Sequence, residues 1–226
     1  MKIGICIFVL LISTTYLYAQ SGQPDAVTQS WNEVEVTVPL FQKENADGKK
    51  VDKLSAIFNG IIRTSRLTHM EDRRAGFGLS YRLDKYFSMY AALLYRRDEI
   101  IKNVPHIEKR LDIGPTFSIT LKKFTIRDRN MYEHRYRNGR VNTDFYRQRF
   151  QVFHPLNYKG KTLFTPYVSE EVYLQIHARQ WVQSEFYAGI SRRLNTKSVL
   201  EVAYIRNDVS PYNNNGLSLT LRVKVR

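Results

Sequence analysis

The chain has 226 residues, 43% of them hydrophobic and 25% charged, with 35 Lys and Arg against 21 Asp and Glu for a net charge of +14. That is long enough for one domain with a full core or one closed barrel, and the balance suits a soluble exported protein and a membrane barrel with a polar interior alike. A single cysteine, Cys6, excludes a disulfide framework.

The first segment is an export signal. Lys2 precedes an apolar run from Ile3 to Ile12, followed by Ser13-Thr14-Thr15 and Ala19, after which a signal peptidase can cut before Gln20. The run is too short for a spanning helix, which needs about 20 apolar residues. Cys6 lies inside this segment, so the mature chain carries no thiol. The expected organisation is a signal peptide over 1–19, a short N-terminal segment over 20–30 and one β-barrel domain over 31–226.

From there the apolar period is two, the pleat of a β-strand. Val34, Val36, Val38 and Leu40 alternate with Glu33, Glu35 and Thr37; Phe77, Leu79, Tyr81 and Leu83 alternate with Gly76, Gly78, Ser80 and Arg82. A weaker strand reads at 54–64 and a more apolar one at 86–96. Others follow at about 109–121, 124–137, 144–155, 164–176, 184–194 and 198–206. The last eleven residues set Leu217, Leu219, Leu221, Val223 and Val225 on one face and Ser218, Thr220, Arg222, Lys224 and Arg226 on the other. No segment has a convincing helical period. Short links at 83–86, 121–124, 158–161 and 194–197 alternate with longer or more polar ones at 65–73, 97–108, 138–143, 177–183 and 207–215. Alternation of that kind is expected of an up-and-down meander through a bilayer.

Charge recurs in the middles of these strands. Arg127, Arg129, Glu133, Arg135 and Arg137 share one face, Arg147 and Arg149 share a face of the next strand with Gln151, and Glu171 and Glu201 follow, with Glu185 and Arg193 between them. Such a row cannot enter an apolar core without several kcal/mol of desolvation per ion, but it can line a polar lumen or stand on a solvated sheet face. On strand 124–137 the same alternation sends Asp128 and Asn130 to the other side, where a bulge can shift the register if that side meets lipid.

The order Trp31-Asn-Glu, His106-Ile-Glu-Lys-Arg110, Arg127-Asp-Arg-Asn-Met-Tyr-Glu-His-Arg135, Arg147-Gln-Arg-Phe150, Pro166-Tyr-Val-Ser-Glu-Glu171, Phe186-Tyr-Ala-Gly-Ile-Ser191 and Gly216-Leu-Ser-Leu-Thr-Leu-Arg222 resembles the domain of unknown function 2490 family over nearly all of the mature chain. The resemblance implies an exported outer-membrane-type β-barrel with the Glu and Arg of those motifs pointing inward. It brings no established activity. Met131 stands where such a sequence would more often place an inward basic residue.

A catalytic set is not expected. His134 sits beside Glu133 and Ser169 beside Glu170, but adjacent strand residues point to opposite faces. The five histidines, at 69, 106, 134, 154 and 177, show no ligand spacing, and no cofactor or metal motif is visible. Tyr81, Tyr86, Tyr90, Tyr95, Tyr132, Tyr136, Tyr158, Tyr187, Tyr204 and Tyr212 suit an interfacial girdle or ordinary strand propensity. The basic residues are spread at alternate strand positions, without a basic helix, so nucleic acid is not the expected partner.

The expected fold is therefore all-β, an antiparallel up-and-down transmembrane barrel of roughly 10–12 strands, with an even number where closure is antiparallel. Its expected place is the outer membrane of a Gram-negative cell. Lipid and the barrel-assembly machinery are the expected partners, and the oligomeric state stays open. The function expected is a small porin-like or structural barrel with a charged lumen. A soluble exported barrel binding a small apolar ligand is the alternative, and a membrane-embedded hydrolase or acyltransferase the third.

Overall fold

The computed structural model describes residues 27–45, 47–65, 71–101, 104–209 and 212–225, so the export segment lies outside the described residues. The strands are β1 (Val27–Glu44), β2 (Lys50–Ser65), β3 (Glu71–Arg82), β4 (Phe87–Ile101), β5 (Val104–Leu121), β6 (Phe124–Arg137), β7 (Thr143–Phe153), β8 (Leu156–Tyr158), β9 (Lys161–Gln175), β10 (Gln180–Arg193), β11 (Ser198–Val209) and β12 (Tyr212–Lys224). There is no helix among the described residues.

Eleven strands close one barrel; the short β8 pairs only with β9, where the β7–β9 connection folds into a small hairpin. Each strand pairs antiparallel with its neighbour in sequence except at the seam. There β1 runs parallel to β12, from Val27 opposite Asn214 to Thr37 opposite Lys224. A meander with an odd number of strands must close this way, because its first and last strands point in the same direction. The even number expected from antiparallel closure is thus corrected by a parallel seam, whose hydrogen bonds are slightly weaker per residue.

The turns follow their side chains. Asp84 Oδ1 accepts the N–H groups of Tyr86 and Phe87 at 2.6 and 2.7 Å, and Asn195 Oδ1 accepts that of Lys197 at 2.8 Å. Both reverse the chain by mimicking a backbone turn. Lys159 and Gly160 hold φ of 48° and 74°, the left-handed pair of a tight hairpin.

The links at the other end differ from expectation. They are short too: β4 and β5 run on to Ile101 and from Val104, and β11 and β12 to Val209 and from Tyr212. Near that rim both faces of a strand are polar, so the period-two signal vanishes although the ladder continues. Loop length therefore does not tell the two ends apart. On β6 the register with β7 runs from Thr125–Phe153 to Arg135–Thr143 without a shift, so the anticipated bulge is absent and Asp128 and Asn130 do point outward. The β5–β6 ladder lapses instead at Gly114–Pro115, where proline has no N–H to give and a Cβ on Gly114 would collide with the Asn130 carbonyl.

The distribution of side chains is inverted relative to a water-soluble core. Val34, Phe58, Phe77, Leu93, Ile113, Val202, Leu217 and Leu219 stand exposed on the outer wall, Leu93 to 64% and Leu217 to 63%. Glu133, Glu171 and Glu185 are among the most deeply buried side chains, with Glu133 and Glu171 at 0% exposure. Exposed apolar surface in contiguous patches and buried charge are each informative, and here they occur together.

Candidate functional site

The inward face of β6 carries Arg127, Arg129, Met131, Glu133, Arg135 and Arg137, and the register sets it beside Phe145, Arg147 and Arg149 of β7. β9 then presents Ser169, Glu171 and Tyr173 to that strand. Glu171 accepts from Arg147 Nη2 at 2.8 Å, Arg149 Nε at 2.8 Å and Arg129 Nη2 at 3.2 Å. Glu133 pairs with Arg135 Nε and Arg147 Nη1 and lies 3.6 Å from Arg110 Nη1. Arg147 thus joins the two buried carboxylates, and its Nη1 also reaches Asp112 at 3.4 Å.

The pairing explains two features that look wrong in isolation. Asp112 stands directly opposite Glu133, and Glu171 opposite Glu185, like charges that would repel. Arginines resolve both: Arg147 bridges Asp112 and Glu133, while Arg149 binds Glu171 and lies 4.0 Å from Glu185. Met131 faces Arg147 and is buried at 3% exposure, so a base at 131 would meet a guanidinium head-on. A neutral thioether there sets no second cation against the Arg147 bridge.

Nearer one rim, Arg96 contacts Asp72 at 3.0 Å, Asp98 at 2.9 Å and Glu108 at 3.7 Å; Arg110 and Arg137 also bind Glu108, at 2.5 and 2.8 Å. Toward the other rim Glu201 pairs with Arg222, which also lies 3.5 Å from Glu35. On the β1 side Arg63 stacks 3.3 Å over the Trp31 ring, and Trp31 meets Tyr187 edge-on at 6.3 Å.

All nine positions read as a charge ladder from the sequence are on inward positions. Eight join the ion-pair network; Arg127 instead stacks over Phe153 at 5.1 Å and has no ion pair among the described residues. Sequence reasoning missed as ladder members Arg63, Asp72, Arg74, Arg96, Asp98, Glu108, Arg110, Asp112 and Arg222. Their signal was available: Asp72 and Arg74, Arg96 and Asp98, and Glu108, Arg110 and Asp112 are charges spaced two apart, the same period as the ladder. Two of the tyrosines assigned to a girdle, Tyr90 and Tyr187, line the interior instead, and the Tyr212 side chain is outside the described residues. His134 points outward to Asp144 at 2.6 Å, whereas Ser169 is buried inside, so the two never meet. Among the described residues no group of three or more His, Cys, Asp or Glu could hold a metal ion.

The network leaves a cavity of about 140 Å³ inside the barrel. Seven arginines line it, Arg63, Arg74, Arg110, Arg129, Arg147, Arg149 and Arg222, against four carboxylates, Glu33, Asp112, Glu185 and Glu201. Beyond the nine ladder positions the interior gains Arg63, Arg74, Arg96, Arg110 and Arg222 against Asp72, Asp98, Glu108, Asp112 and Glu185, so the excess of base falls in proportion but persists. At the cavity itself arginine prevails. Arg129 Nε, Asp112 Oδ1 and Ser169 Oγ, from cavity-lining residues, are buried without a hydrogen-bond partner in the protein.

A family model described as a protein of unknown function (DUF2490) matches residues 28–217, all but the last part of β12 within the barrel. The chain belongs to the DUF2490 family. Among solved structures, the DUF2490 barrel is similar to an anion-selective porin from Comamonas acidovorans at 10% identity and a TM-score of 0.36, covering 78% of this chain and 58% of the porin. The chain thus spans little more than half the porin's length. A comparison with curated proteins gave no match.

Proposed function

We propose that this DUF2490 barrel resides in the outer membrane of a Gram-negative cell, reached through a cleaved signal peptide and the barrel-assembly machinery, and works as a narrow porin-like barrel for small anions. The inverted side-chain distribution carries the proposal. A wall bearing Phe58, Phe77, Leu93, Leu217 and Leu219 loses about 25 cal/mol per Å² for apolar area left in water, and lipid removes that cost. A closed barrel also satisfies every strand edge, which is what hydrocarbon requires.

The lumen supports the second half. Its 140 Å³ cavity has room for a handful of waters, and the arginine excess around it raises the local concentration of anions. An apolar ligand has no matching surface there, because the lining is dominated by charged, amide, hydroxyl and tyrosine groups. The proposal assigns the chain no catalytic step.

Planar-bilayer recording on the purified full chain is the test. Small single-channel currents with an anion preference are expected, and Arg129→Glu together with Arg149→Glu should weaken or reverse the preference. Folded, inserted protein that carries no current at any salt concentration would overturn the pore and leave a structural barrel whose charges act as a plug.

A further inference from the structure

The outer wall is apolar around most of its circumference, with Asn32 of β1 beside Leu219 an isolated polar position, and carries a polar cluster along one seam. On β11, β12 and β1–β5 the middle outward positions are filled by Val202, Leu219, Val34, Phe58, Phe77, Leu93 and Ile113. On β6, β7 and β9 the corresponding positions hold Asp128, Asn130, Gln148 and Glu170. These are not rim residues: Glu170 stands between Val168 and Val172 on the same face, and Asp128 follows Phe124 and Ile126.

The cluster is bonded only in part. Asn130 Nδ2 and Gln148 Nε2 both donate to Asp128, at 3.0 and 3.2 Å, and Tyr146 donates to Asn130. Ser184 of β10 donates to one oxygen of Glu170, and the second oxygen accepts no bond among the described residues. Arg206 of β11 spends its Nε on Asp208 at 3.0 Å and keeps other N–H groups. Phe186 sits opposite Glu170 on one side and Arg206 on the other.

Lipid tails give such groups no hydrogen bond, and a polar residue set in mid-wall is a functional feature by default. The seam has two chemically different flanks. β6 and β7 bring carboxylate and amide groups, while β10 and β11 bring the Ser184 hydroxyl and the Arg206 guanidinium, whose Nε is held by the neighbouring Asp208 carboxylate. Turned about a two-fold axis between β9 and β10, each flank meets the other flank of a second copy, the self-complementary arrangement of an isologous contact. We propose that β6–β7–β9–β10–β11 is the dimer interface of this protein in the membrane, its occupant a second copy of the same chain. The proposal rests on the membrane placement given above.

Two readouts on the full chain separate the failures. Fractionation reports whether the protein is membrane-embedded, and native mass spectrometry from nanodiscs reports how many chains associate. The only native cysteine is Cys6, so single cysteines can be placed cleanly in the wall. Phe186→Cys, near the proposed axis, should give a disulfide-linked pair in membranes, and Phe77→Cys, across the barrel on β3, should not. Replacing Asp128, Gln148 and Glu170 by Leu should lower the mass from two chains to one while the protein remains inserted. An inserted wild-type monomer, or equal cross-linking through Phe77→Cys, overturns the dimer and leaves the membrane placement standing. Protein recovered outside the membrane overturns both.

Discussion

Glu171 accepts from three arginines and has no exposed surface, whereas Arg147 divides its guanidinium among Glu133, Glu171 and, at 3.4 Å, Asp112, the first two of which keep other partners. This asymmetry ranks the two substitutions. Glu171→Gln strips three guanidinium groups of their shared counter-charge and should destabilise the barrel by roughly 3–5 kcal/mol, the cost of breaking a buried pair from one side. Arg147→Met should cost less, since Glu171 retains Arg129 and Arg149, Glu133 retains Arg110 and Arg135, and the 3.4 Å contact to Asp112 alone is lost without a second partner. Denaturant unfolding in detergent, followed by the fluorescence of Trp31 and Trp181, measures both. An equal or reversed order would mean that the arginines are hydrated independently and that the network is not cooperative.

Among the elements, β6 and β12 were the most legible and the rim extensions the least. On β6 the charges at alternate positions already assign one face inward, and the outward Asp128 and Asn130 were visible as a conflict with an apolar wall. What could not be read was whether a bulge resolves that conflict or that side does not meet lipid. The extensions 97–101 and 104–108 read as loop because Arg96, Arg97, Asp98, Glu99 and Glu108 make both faces polar, so hydrophobic alternation is lost there and only the period of two in the charges marks the strand. Strand direction at closure leaves no trace in composition, so the parallel seam was illegible. That seam makes β12 doubly necessary, since it pairs with β11 on one side and β1 on the other. Deleting residues 217–226 would expose two edges at once and should abolish stable insertion, leaving the chain to proteases. Wild-type levels of the truncated protein in membranes would show that closure through β12 is dispensable.

For the whole molecule, the expected barrel and its polar interior follow from one rule, that alternate residues face alternate environments. The sign of the environments is a separate matter, because a charged face suits a solvated exterior as well as a lumen. The structure assigns the charges to the inside and the apolar residues to the outside, and the membrane account stands on that inversion. Substituting Leu219→Arg should then cost about 2–4 kcal/mol if this position lies near the bilayer midplane. The most direct measurement is fractionation of cells expressing the full-length protein, followed by carbonate and urea extraction of the envelope. The account predicts that the protein sediments with outer membranes and resists both treatments; recovery as a detergent-free soluble monomer from the periplasm would contradict it.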